Sequence, residues 1–200
     1  MDVDEFRELL QGAGESPQLE FKESMPWDGR KFARHIIAMS NLRDGGRIII
    51  GIKNGTLDRL GVDAQSLATY VEEDMQDQIA KFADPFVQFN VSRINDGGLQ
   101  FVVIEVASFE ETPTILRESV DGENPNEKIE KGRLLIRSRY GRPKSCQIER
   151  VDELRELIEL AVARRTAKLR SLGILPIATD LAAPEHEASY DYDAELGDIL

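Results

Sequence analysis

Ile48-Ile49-Ile50 is an unbroken β-branched run closed by Gly51. It shows no apolar/polar alternation, so it reads as a central strand buried on both faces. A fold built around it must supply an apolar covering on each side. Residues 4–10 form one candidate, a short helix with Phe6, Leu9 and Leu10 at helical spacing, ended by Gly12 and Gly14. Residues 31–42 form another, with Phe32, His35, Ile36 and Met39 on one helical stripe, followed by Asp44-Gly45-Gly46, a break that tolerates positive φ. Between them, Leu19–Lys22 alternates apolar and charged residues and predicts a strand.

Asn54-Gly55 is a strong turn signal after the isoleucine run, and a helix is expected over residues 67–82. Residues 86–94 and 99–106 flank Asp96-Gly97-Gly98 and predict a β-hairpin. Two more strands are expected at 113–117 and 133–139, separated by a polar stretch over 121–131. A long helix is expected over 152–172, with Leu154, Leu157, Ile158, Ala161, Val162 and Leu169 on its apolar face. The predicted class is α+β: a mixed β-sheet with a buried central strand and an antiparallel hairpin, covered by helices.

The single cysteine, Cys146, allows no intramolecular disulfide and no cysteine cluster for zinc. No apolar run approaches the ~20 residues of a membrane helix, and the acidic N-terminus lacks the pattern of an export signal. The expectation is a soluble, cytoplasmic protein. Its net charge of −12 runs against a phosphate-binding role. Seven of the acids, however, lie in residues 176–200, where there is no Lys or Arg, which leaves the remainder at −5. Residues 176–200 read as a disordered acidic tail, open to roles as a solubilising end, a docking segment or a nucleic-acid mimic.

Three segments in order carry a resemblance: Glu15-Ser16-Pro17-Gln18-Leu19-Glu20-Phe21-Lys22; residues 37–52, from Ile37 through Asn41 and Gly45-Gly46 to Ile52; and residues 132–143, from Gly132 to Pro143. Together they resemble the Schlafen AlbA-like domain over roughly residues 12–155. The corresponding organisation is an N-terminal helix at 1–14, the domain with its long C-terminal helix at 15–175, and the tail at 176–200. The resemblance implies a platform for nucleic acid, DNA or RNA, fused in many bacterial relatives to a transcription-regulator module. In animal Schlafens it implies an RNA-cleaving site of two glutamates at i and i+5, matched by Glu15 and Glu20, a lysine matched by Lys22, and an aspartate after the buried strand. That last position falls on Asn54.

Three converging carboxylates can hold Mg²⁺ or Mn²⁺ and activate a bound water. An amide at Asn54 brings no charge, so the set Glu15, Glu20 and Asn54 is a degraded metal site, with Asp44 or Asp58 as conceivable substitutes. The bland reading makes Glu15 a solvated acid and Glu20 a strand residue paired with Lys22 or an arginine. Residues 131–144 offer a second candidate: Lys131, Arg133, Arg137, Arg139, Arg142 and Lys144, with no acid among them. On a strand Arg133, Arg137 and Arg139 share one face, a basic stripe for phosphate contacts or for pairing with Glu127, Glu130 or the tail.

No G-x-x-x-x-G-K-[ST] loop occurs, which leaves a nucleotide-hydrolase reading without its phosphate cradle. Gly45-Gly46 can serve a phosphate or simply end a helix. His35 reads as a hydrogen-bonded core residue, and His186 lies in the tail. Trp27 and Tyr140 could stack on bases or act as packing anchors. Three functions follow: a nucleic-acid-binding module, regulatory in role, with Lys22, Arg133, Arg137, Arg139, Arg142 and Lys144 as contacts; a metal-dependent endoribonuclease using Glu15, Glu20 and Lys22; or a protein-interaction module acting through the C-terminal helix or tail, with homo-oligomerisation left open.

Overall fold

The computed structural model describes residues 1–11, 14–122 and 127–176. The expected tail therefore falls outside the described residues except for Pro176, as do positions 123–126 of the polar stretch. The chain divides into two units, Met1–Arg165 and Thr166–Leu200.

The first unit is built on a four-stranded sheet in the order β1-β2-β5-β4. A helix α1 (Val3–Gln11) precedes β1 (Leu19–Lys22), and α2 (Gly29–Ser40) links β1 to the isoleucine strand β2 (Gly46–Ile50). β1 and β2 are parallel, with Leu19 opposite Arg47 and Lys22 opposite Ile50, the pairing that a helical crossover permits. Beyond β2 come two short helices, α3 (Ala64–Ala68) and α4 (Glu72–Ile79), and a two-residue strand β3 (Ala83–Asp84). The hairpin β4 (Phe89–Asp96) and β5 (Leu99–Val106) completes the sheet, turning through Gly97 and Gly98, both at positive φ.

Interior position and two-sided burial of β2 follow from its neighbours. Ile48 and Ile50 join a core under α2 with Phe32, Ile36 and Met39, whereas Ile49 packs on the other face with Phe6, Phe21 and Phe101. α1 is thus the lid of the second face. Gly45 has φ 70°, and a Cβ there would stand 2.0 Å from the carbonyl oxygen of Val106, so only glycine fits this turn. Asn41, at the end of α2, is buried. Its amide donates to the Thr114 and Leu135 carbonyls at 2.9 and 2.8 Å, and its oxygen accepts from Thr114 N–H at 2.8 Å.

Five short strands and a helix follow: β6 (Ile115–Leu116) pairs with β3, β7 (Val120–Asp121) with β8 (Lys128–Ile129), and β9 (Leu135–Ser138) with β10 (Lys144–Gln147), before α5 (Val151–Ser171). The expected helix over 67–82 is in fact α3 and α4, broken so that Tyr70 turns inward and its hydroxyl donates to Met25 O at 2.8 Å. The expected apolar face of α5 differs too. Leu157 is buried against Phe109 and Ile136, with Leu160 and Ala161 partly buried beside it, but Ile158 and Val162 are 53% and 60% exposed. In the second unit the helix ends at Gly173 (φ 70°), with Gly173 N–H bonded to Arg170 O and Ile174 N–H to Leu169 O, a Schellman cap.

Candidate functional site

Glu20 and Lys22 sit two apart on β1, so both side chains leave the same face of the strand, towards α2, while Leu19 and Phe21 join the core under α1. Three other segments converge there: Arg34 and His35 of α2, the loop at Asn54 after β2, and the β9–β10 hairpin, whose register sets Ser145 opposite Arg137. They enclose a cavity of about 80 Å³ lined also by Glu15, Arg142 and Lys144.

The carboxylates are fully engaged. Glu20 Oε2 lies 2.5 Å from Arg137 Nη1, and its Oε1 accepts from Lys22 Nζ. Glu15 Oε1 accepts from the Asn54 amide at 2.7 Å and its Oε2 from Arg142 Nε at 3.1 Å. Arg137 is only 1% exposed and acts as a strut: besides Glu20 it donates to the Pro17 and Ser16 carbonyls at 3.2 and 3.3 Å. This ties β9 to the loop that carries Glu15.

His35 is buried, with Nδ1 3.0 Å from Ser145 Oγ, and its Nε2 accepts from Arg34 Nε at 3.3 Å. The acceptor at Nε2 assigns the proton of the neutral ring to Nδ1. Burial, followed by the charges of Lys22, Arg34 and Arg137, holds this imidazole well below its ordinary value of 6.5, so it is neutral at physiological pH. Glu20 and Ser145 both face Nδ1, at 3.9 and 3.0 Å. A Ser-His-acid relay needs them on opposite nitrogens, so the three residues do not form one.

A divalent cation implied by the Schlafen resemblance does not fit these donors. Each oxygen of Glu15 and Glu20 already meets a cation or an amide N–H, and Asn54 turns a donor towards Glu15. Among the described residues no group of three His, Cys, Asp or Glu could hold a metal ion. The cavity instead carries five cations, Lys22, Arg34, Arg137, Arg142 and Lys144, against two carboxylates, an excess of three positive charges. Such a concavity attracts anions.

The basic stripe expected on residues 133–139 is not formed as drawn. β9 begins at Leu135, Arg137 points into the interior, and Arg133 and Arg139 are exposed outside the cavity, with Arg139 paired to Glu156 of α5. Lys22, Arg137, Arg142 and Lys144 do converge, together with Glu15, Glu20 and Asn54. Arg34 and Ser145 were missed by sequence reasoning. For Arg34 a signal existed, since Arg30, Lys31 and Arg34 lie at helical spacing beside the apolar stripe.

The family model described as Schlafen, AlbA_2 matches residues 15–141. This chain belongs to that family. The match holds Glu15, Glu20, Lys22, Arg34, His35, Asn54 and Arg137, so the AlbA_2 region brings most of the cavity, and Arg142, Lys144 and Ser145 follow directly after it. Among curated proteins none matches the chain. The similar solved structures include two from bacteria. The DIP2311 protein from Corynebacterium diphtheriae is 18% identical with a TM-score of 0.47, over 76% of this chain and 27% of that one. The N-terminal domain of a RecG-related protein from Nitrosomonas europaea is 19% identical with a TM-score of 0.41, over 54% of this chain and 74% of that one. The AlbA_2 chain thus spans about a quarter of the length of the Corynebacterium protein. Among its described residues no helix is long and apolar enough to cross a membrane.

Proposed function

We propose that this AlbA_2 chain is a nucleic-acid-binding module that grips the phosphate backbone at the β1–α2–β9 cavity. Lys22, Arg142 and Lys144 make the phosphate contacts, Arg137 holds them in place, and exposed Arg133 and Arg139 add contacts at the periphery. The reading is carried by one observation: an excess of three positive charges gathered round one cavity in a chain whose net charge is −12. Phosphate binding draws on such a local positive field. Because the carboxylates are spent on ion pairs, they shape the cavity and do not serve as metal ligands.

The test is fluorescence anisotropy with labelled single-stranded RNA, single-stranded DNA and duplex DNA at low salt, with and without Mn²⁺. Salt-sensitive binding without cleavage is expected, and Lys144→Glu should weaken it across sequences and flatten the salt slope by about 1 or more. Absence of salt-sensitive binding to all three would refute the reading. Mn²⁺-dependent cleavage abolished by Glu20→Gln would replace it with the nuclease.

A further inference from the structure

Arg34 Nη1 is the one buried side-chain nitrogen or oxygen among the described residues that has no hydrogen-bond partner. A guanidinium donor removed from water and left unpaired is costly, and such an atom in a folded protein calls for an explanation. Its position supplies one. Arg34, Lys22 and His35 form the shared wall between the 80 Å³ cavity and a second one of about 270 Å³. The second cavity is lined by Met25 and the buried Phe32, by Lys31, and by Asp121, which is already paired with Arg30 at 3.4 Å.

We infer that these paired cavities take one unpaired nucleotide: its phosphate against Lys22 and the orphan Arg34 guanidinium, its base in the larger cavity beside Met25. The inference rests on the phosphate-binding reading above and adds to it a substrate class. The sizes agree, because the smaller cavity lies far below the ~300–1,000 Å³ of ordinary ligand sites and suits a phosphoryl group, while the larger approaches that range. A base inside a duplex must first be unstacked and unpaired, at a cost of a few kcal/mol, before it can enter a side cavity, so the favoured ligand is single-stranded or a free mononucleotide. The ligand phosphate provides the acceptor that Arg34 Nη1 lacks, a charge-assisted bond stronger than a neutral one.

The experiment uses the full chain and four probes: inorganic phosphate, a nucleoside 5′-monophosphate, a 12-nucleotide single strand and its duplex. For the native chain, the monophosphate should raise Tm more than phosphate does, and the single strand should bind at least tenfold tighter than the duplex. Arg34→Met should lose that preference while the ligand-free chain stays folded, the removal of an unpaired buried donor offsetting part of the lost Arg34 Nε–His35 Nε2 hydrogen bond. Met25→Trp, which fills the larger cavity and leaves every cation in the sequence, should abolish the monophosphate response and keep that to phosphate. Equal binding of single strand and duplex by the native chain would overturn the nucleotide pocket and leave the phosphate grip standing. A monophosphate response with no polymer binding would keep the pocket and refute the nucleic-acid module. Unchanged monophosphate binding in both variants would also overturn the pocket.

Discussion

Replacing Arg137 with methionine separates a strut from a phosphate contact. In the native chain the Glu20 and Arg137 side chains are 5% and 1% exposed and 2.5 Å apart at Oε2 and Nη1. Breaking a buried pair by removing one partner costs roughly 3–5 kcal/mol, because the remaining charge stays buried. Lys22 still neutralises Glu20 Oε1, which favours the lower end of that range, but the Pro17 and Ser16 carbonyls lose their side-chain donor as well. In a chain of this size about 1 kcal/mol moves Tm by about 2–4 °C, so the expected fall is about 6–20 °C. Thermal and urea unfolding would measure it, and Glu20→Gln added to Arg137→Met should recover part of the loss, since the stranded charge goes with it. A Tm within about 2 °C of native, together with much weaker nucleic-acid binding, would show Arg137 to be an accessible contact and refute the buried-strut reasoning.

Three other outcomes are expected. Gly45→Ala should cost about 2 kcal/mol or more, read by urea unfolding, because the backbone is at φ 70° and the new methyl would meet Val106 O at 2.0 Å. The Asp96 carboxyl is held below the usual carboxylate range, first by the hydrogen bond from Arg7 and then by Arg59. Its folded value is lower than its unfolded one, so its contribution is complete above about pH 4 and is lost as pH falls through the lowered value. Asp96→Asn should therefore flatten the acid limb of a stability profile, and an unchanged limb would contradict this. Glu15→Gln removes one of the two acids at the cavity and should tighten phosphate-backbone binding several-fold at low salt, roughly threefold or more; weaker binding would point to a role for that carboxylate in holding the ligand.

Much of the fold was legible in local pattern. The isoleucine run dictated a strand covered on both sides, the 96–98 turn dictated the hairpin, and the stripe on residues 31–42 dictated α2. Each signal is a periodicity or a turn chemistry that the backbone obeys without reference to distant residues. Most residues lining the cavity had been singled out from the sequence, Arg34 and Ser145 excepted, but their geometry had not. Glu15, Glu20, Lys22, Asn54, Arg137, Arg142 and Lys144 were all singled out, yet the same seven residues could have been a metal site with an exposed basic strand or a cavity of ion pairs with cations in excess.

Only the tertiary structure shows how these residues meet and pair. Strand alternation places Arg137 on one side of β9, but which side is interior depends on where α2 and the Glu20 face of β1 lie, over a hundred residues away in sequence. The same holds for α5, where Leu157 is buried and Ile158 exposed because Phe109 and Ile136 receive one face of the helix. Arg34 shows the limit most clearly: its position on α2 follows from helical spacing, whereas its orphaned nitrogen between two cavities exists only because β1, α2 and the β9–β10 hairpin meet. Local sequence determines which elements form and which way their residues alternate. Burial, charge pairing and the cavity depend on long-range packing, because they are properties of surfaces that no single segment carries.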